Sequence, residues 1–201
     1  MSPVFSTAYL PPIAYVAKML QHTESVLIEA KETFPKQTYR NRAEIMTAGG
    51  VRTLTVPVIR ENHSRTEEVG IDYKERWNII HLRTLTAAYS ASPYFLYYKD
   101  ALEALLMPRY EKLMDLNEAL LKWVLRALIT DILLCRTDDY QKEYPIDYRN
   151  TFSPKHLYPT EGMGSYYQVF SDRIPFTPNL SIIDLLMNLG PEAKDYLKRI
   201  P

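Results

Sequence analysis

The first thirty residues constrain this chain most. Val4 to Thr7 is a short β-type run, Tyr9-Leu-Pro-Pro12 a rigid turn, Ile13 to Leu20 a helix, and Ser25-Val-Leu-Ile-Glu29 a second strand. Pro12 falls near the first helical turn, where a missing N–H costs nothing. Strand, turn, helix and strand in so short a span imply a βαβ unit with a parallel strand pair. The loop after the first strand of such a unit lies at the carboxyl edge of the sheet, where ligands bind. Tyr9, Tyr15 and His22 are therefore placed to reach a cleft there, although His22 also reads as an exposed helix-end histidine.

Beyond this unit, Ala43 to Thr47 and Val51 to Val58 read as a hairpin turned by Ala48-Gly49-Gly50. Pro57 lacks a donor and confines the second strand to an edge, or ends it. Val69 to Tyr73 is a further short strand. The pattern then turns helical: Trp77 to Tyr89, Ser92 to about Met107 with Ser92 as N-cap, and about Pro108 to Ile129. Asn117 is the one polar residue on the apolar stripe of the last of these and is expected to hydrogen-bond across helices. Ile132 to Cys135 is a strand. The segment from Tyr140 to Pro178 is rich in proline and tyrosine and is predicted to wrap the body, with only Tyr166 to Phe170 patterned as ordered. A closing helix starts at Ser181 as N-cap, with Asp184 at the third position of a capping box and Leu180 stapled to Leu185. Gly190 ends it and Pro191 opens a last helix.

The fold class is therefore α/β: a small mixed sheet with an N-terminal βαβ unit and hairpin, followed by a largely helical C-terminal half. A chain of 201 residues fits one domain. Residues 1–75 form its mixed part, 76–130 its helical part, and 131–201 the wrapping segment and closing helices.

Hydrogen-bonding groups are densest in Phe34-Pro-Lys-Gln-Thr-Tyr-Arg-Asn-Arg42. If the stretch is extended, Lys36, Thr38, Arg40 and Arg42 share one face with Glu44, and Gln37, Tyr39 and Asn41 share the other with Ala43 and Ile45. The second row becomes apolar as it runs on, which places Gln37 and Asn41 at the start of a buried row. Two readings stand for these amides: they pin loop backbone, or they hold a ligand. Arg40 and Arg42 likewise fit either an anion site or surface salt bridges. His81 shares a helix face with Trp77. It fits a general base or a hydrogen-bonded core histidine, and the lack of a carboxylate at i±3 or i±4 favours the core reading.

Composition excludes several classes. Lys plus Arg equals Asp plus Glu, 24 each, so no whole-protein field draws in nucleic acid. The one cysteine, Cys135, permits no disulfide within the chain and points to a reducing compartment. The uncharged start lacks a basic n-region and is interrupted by Pro3, Pro11 and Pro12, and no span reaches the ~20 apolar residues of a membrane helix. A cytoplasmic protein without a membrane span is expected. No phosphate-loop, dinucleotide, zinc or nucleophile-elbow spacing occurs, so no cofactor or metal is expected. Sixteen tyrosines supply stacking faces and hydroxyls suited to carbohydrate or nucleotide surfaces.

Several motifs occur together: Tyr9-Leu-Pro-Pro12, Lys36-Gln-Thr-Tyr-Arg-Asn-Arg42, Leu54-Thr-Val-Pro57, Trp77 followed by His81, Phe176-Thr-Pro-Asn-Leu-Ser-Ile-Ile-Asp-Leu-Leu186 and Asn188-Leu-Gly190. In these the chain resembles the WbqC-like protein family over nearly its whole length. The family's link with bacterial O-antigen and polysaccharide gene clusters implies a transferase-like enzyme of surface-polysaccharide biosynthesis acting on a nucleotide-linked sugar. The alternative is a non-catalytic binding or scaffold protein of the same pathway. Under the first reading Lys36, Arg40 and Arg42 meet phosphate, Gln37 and Asn41 hold sugar or amide groups, and His81 or His22 moves a proton. Trp77 and Tyr9 complete the binding set. Between Leu134 and Tyr148 the chain lacks a Tyr-Leu-Ser-Gly-like turn carried by longer members.

Overall fold

The computed structural model describes residues 2–22, 24–155 and 158–201. Strand β1 (Val4–Ser6), helix α1 (Ile13–Leu20) and strand β2 (Ser25–Glu29) form the expected βαβ unit, with β1 and β2 parallel in the register Val4 to Leu27. A later strand, β7 (Leu133–Arg136), joins the other side of β2, also parallel, so the order is β1-β2-β7. The outer edge of β1 is covered by the wrapping segment: Val4 N–H donates to Ile146 carbonyl, and Tyr148 N–H donates to Val4 carbonyl.

Parallel and antiparallel pairings both occur, but in three separate sheets instead of one mixed sheet. Strands β3 (Arg42–Thr47) and β4 (Gly50–Thr55) form the hairpin around a two-residue turn. Gly50 closes that turn with φ 97, a conformation that an L side chain rarely adopts. The expected strand from Val51 to Val58 is split at Val56-Pro57. After the split, β5 (Val58–Ile59) pairs with β6 (Gly70–Ile71). Pro57 has no N–H to continue the first ladder, and its carbonyl instead accepts from Asp72 N–H.

Helices α2 (Trp77–Tyr89), α3 (Phe95–Leu106) and α4 (Leu113–Ala127) follow. Ser92 does not cap α3. Its hydroxyl donates to Tyr89 carbonyl at 2.7 Å, closing the end of α2, and α3 begins after Tyr94. Asn117 on α4 is 1% exposed and donates to Thr7 Oγ1 at 3.1 Å and Arg40 carbonyl at 2.8 Å, so its partners are loop and strand end, not another helix. Tyr166 to Phe170 adopts no regular element, yet Tyr166 and Gln168 point inward onto Asp184.

Helix α5 (Ile182–Leu189) is capped by Ser181, whose Oγ accepts from Ile183 N–H and donates to Leu10 carbonyl. The starts of α1 and α5 satisfy each other. Ile13 N–H donates to Leu180 carbonyl, Ala14 N–H to Asn179 Oδ1, and Ile182 N–H to Pro11 carbonyl. This serves both sets of orphan helix-end donors without water. Asp184 leaves the expected capping-box role and accepts from Tyr89, Tyr166 and Gln168 instead. Gly190 ends α5 at φ 54, where a Cβ would lie 2.5 Å from the Tyr94 ring. Helix α6 (Ala193–Lys198) closes the chain. One core runs from Phe5 to Ile200 and draws on both halves.

Candidate functional site

The 34–42 stretch is not extended. It turns until Arg42, where β3 starts, and Gln37 takes φ 60. Strict alternation therefore fails: Gln37 is exposed instead of starting a buried row, Lys36 is exposed, and Arg40 and Asn41 are both buried. Arg40 is 3% exposed and holds Glu32 through two nitrogens, at 2.7 and 2.9 Å. Asn41 Nδ2 donates to Val56 carbonyl at 2.9 Å and so ties the stretch to the hairpin's far strand. Arg42 is half-buried, and its Nε is a buried donor without a partner among the described residues.

Tyr9, Trp77 and His81 do come together. Tyr9 Oη lies 2.9 Å from His81 Nδ1, and the Trp77 and His81 rings pack edge to face at 5.1 Å. Burial lowers the His81 pKa to about 4, against a hydrogen bond with the Thr55 backbone and with help from the charge of Arg52. Burial pushes the Tyr9 phenol up, so at neutral pH Tyr9 keeps its proton and shares a hydrogen bond with a neutral imidazole. His22 stands apart, its ring 5.9 Å from Tyr148, with a pKa lowered by partial burial and by Lys18.

The carboxyl edge of the parallel sheet is filled by side chains of the chain itself. Glu29, at the end of β2 and 0% exposed, accepts from Thr137 Oγ1, Lys31 N–H and Arg149 Nη1 at 2.8, 2.8 and 3.0 Å. Arg149 also grips Asp147 and stacks over the Tyr140 and Tyr144 rings. Its neighbours Asp147 and Glu29 hold the guanidinium pKa above its usual range, so it stays charged.

Space for a ligand opens at the start of helix α1. A cavity of about 290 Å3 lies between Pro12, Tyr39 and Glu44 on one side and the C-terminal segment on the other. Phe152 and Tyr158, stacked at 5.2 Å, form an aromatic wall. The hydroxyls of Ser153, Thr160 and Thr177 and the amide of Asn179 supply polar groups. Tyr39 Oη donates to Glu44 Oε2 at 2.9 Å. Burial first, and then the Glu44 carboxylate, raise the Tyr39 pKa, so this phenol remains a donor. Among the described residues, no three His, Cys, Asp or Glu side chains cluster to hold a metal ion. His156 lies outside the described residues.

Three distant sequence motifs meet at the cavity: Pro12 from the first, Tyr39 from the second, and Thr177, Pro178 and Asn179 from the closing one. Each contains a non-glycine residue at positive φ, Leu10 at 42, Gln37 at 60 and Asn179 at 55. Such backbone costs of order 1 kcal/mol and persists where its surroundings impose it. Sequence reasoning found the 34–42 stretch and set Glu44 on the face of Arg42 and Tyr39 on the opposite one, but gave neither a site role. Phe152 and Tyr158 left no signal, because their segment has no periodicity.

No helix among the described residues is long and apolar enough to cross a membrane. A relative described as "Uncharacterized protein Rv1507c", from Mycobacterium tuberculosis (strain ATCC 25618 / H37Rv), is 26% identical, with 97% of this chain and 96% of that protein covered. No solved structure matches the chain. Residues 7–196 match the WbqC-like protein family, a span that includes every motif lining the cavity, and the chain belongs to that family.

Proposed function

We propose that the cavity at Tyr39 and Glu44 binds one sugar unit of a nucleotide-linked sugar. In this reading the chain serves bacterial surface-polysaccharide (O-antigen) biosynthesis as a transferase-like enzyme. The observation that carries the sugar reading is the cavity's composition. An aromatic wall faces the apolar side of a pyranose, while a carboxylate, a phenol, an amide and three hydroxyls meet its hydroxyls. Arg42 does not line the cavity, but it lies two residues from Glu44 on β3 with an unpartnered Nε, and it is the cation of the stretch assigned to the phosphate. Glu44 is the carboxylate positioned to take the proton of an acceptor hydroxyl as that oxygen bonds to the sugar and the phosphate leaves.

A second reading, a non-catalytic sugar-binding protein of the same pathway, is favoured by one observation: neither His81 nor His22 lines the cavity. Thermal-shift screening of nucleotide sugars, followed by titration of wild type, Tyr39→Phe, Arg42→Lys and Glu44→Gln, tests both. Lysine keeps the charge of Arg42 but not its planar fork, so weaker binding is expected from Arg42→Lys as well as from Tyr39→Phe. Retained binding with lost turnover in Glu44→Gln supports the transferase, and unchanged affinity in all three variants refutes the site.

A further inference from the structure

A second cavity lies away from the first, between the tip of the β3–β4 hairpin and helix α2. It measures about 380 Å3 and has a floor of small and apolar side chains, Ala48, Ile80, Ala87 and Ala88 among them. Its charged lining residues are Arg52, from β4, and Arg83, from α2, and among the described residues no carboxylate lines it. The sequence explains the imbalance. Helix α2 contains no Asp or Glu, and in the hairpin the only acid is Glu44, which is bonded to Tyr39 in the first cavity. Arg52 and Arg83 are both exposed, and among the described residues neither takes part in a salt bridge. Two exposed arginines without a carboxylate partner, lining the same cavity as an apolar floor, match one chemistry, a phosphate group joined to a compact apolar body. Inorganic phosphate alone would leave the floor uncovered, and a neutral apolar molecule would leave both cations unused.

We propose that the cavity bounded by Arg52 and Arg83 is a binding site for the phosphate end of an amphiphilic organic phosphate. The sugar-binding cavity shares none of its lining residues, so the two assignments stand or fall separately. The Arg52 charge also acts on His81 behind the cavity wall, so neutralising it with a bound anion gives a local reporter.

The test titrates the full chain with phenyl phosphate, inorganic phosphate and phenol by calorimetry, following the His81 ring resonance in parallel. Phenyl phosphate should bind saturably and tighter than either fragment, and should move the His81 resonance. Arg52→Gln and Arg83→Gln should each weaken it by about tenfold or more, the loss expected for one charge-assisted hydrogen bond. Arg109→Gln, in a separate cavity of about 900 Å3 that Tyr73, Arg109 and Lys112 help to line, should have no effect. Flotation with phosphatidylcholine vesicles, with and without phosphatidic acid, identifies the source. Binding lost in the same two variants assigns the phosphate to a lipid, and absence of flotation assigns it to a soluble ester. The proposal is overturned by no saturable binding of phenyl phosphate, by equal affinity for inorganic phosphate, or by an equal loss in Arg109→Gln.

Discussion

Acid should destabilise this protein through His81. The imidazole is 4% exposed, and its folded pKa is lowered from 6.5 to about 4, first by burial. A base whose folded pKa is depressed contributes stability that is fully present above its unfolded value and is lost as pH falls toward the folded one. With these two values, linkage predicts a loss of about 2 kcal/mol by about pH 5 and about 3 kcal/mol by about pH 4. Urea unfolding of wild type and His81→Gln across this range isolates the contribution. The variant should start less stable at neutral pH, since it gives up the Tyr9 partner and the packing on Trp77, but should lose less stability on acidification. An NMR titration of the His81 ring is the direct check. A midpoint near 6.5 in the folded protein would refute the reasoning, and would return His81 to the set of groups able to exchange protons at neutral pH.

Three further outcomes follow from buried polar groups. Arg149→Met should cost about 3–5 kcal/mol in chemical denaturation, because it strands the buried Glu29 carboxylate; the Glu29→Gln/Arg149→Met double variant should lose less than the sum of the single changes. Asn117→Leu should cost about 1–3 kcal/mol by leaving the Arg40 carbonyl and Thr7 hydroxyl without their donor, and a neutral result in thermal unfolding would contradict that. Ser181→Ala should lower stability by about 1–2 kcal/mol without changing sugar affinity, since it removes a cap and the tie to Leu10.

What the sequence by itself determined was local. Periodicity and start signals located α1, α2 and the β3–β4 hairpin, because a helix face or a two-residue turn is specified by residues a few positions apart. Ser181 could be read as a cap, since the donor it serves lies two residues away. Family motifs likewise marked the 34–42 stretch. Tertiary structure decided whatever depended on distant partners. Arg40 became a buried ion-pair member because Glu32 and the wrapping segment close over it, and Gln37 faced outward because its backbone turns instead of extending. Asp184 met Tyr89 and Tyr166 from two other parts of the chain, so its capping-box position did not set its role. The cavity exists only where Pro12 and Tyr39 meet Asn179, which lies more than a hundred residues further along the chain. No local pattern encodes such a meeting, because it is set by how the starts of α1 and α5 cap one another.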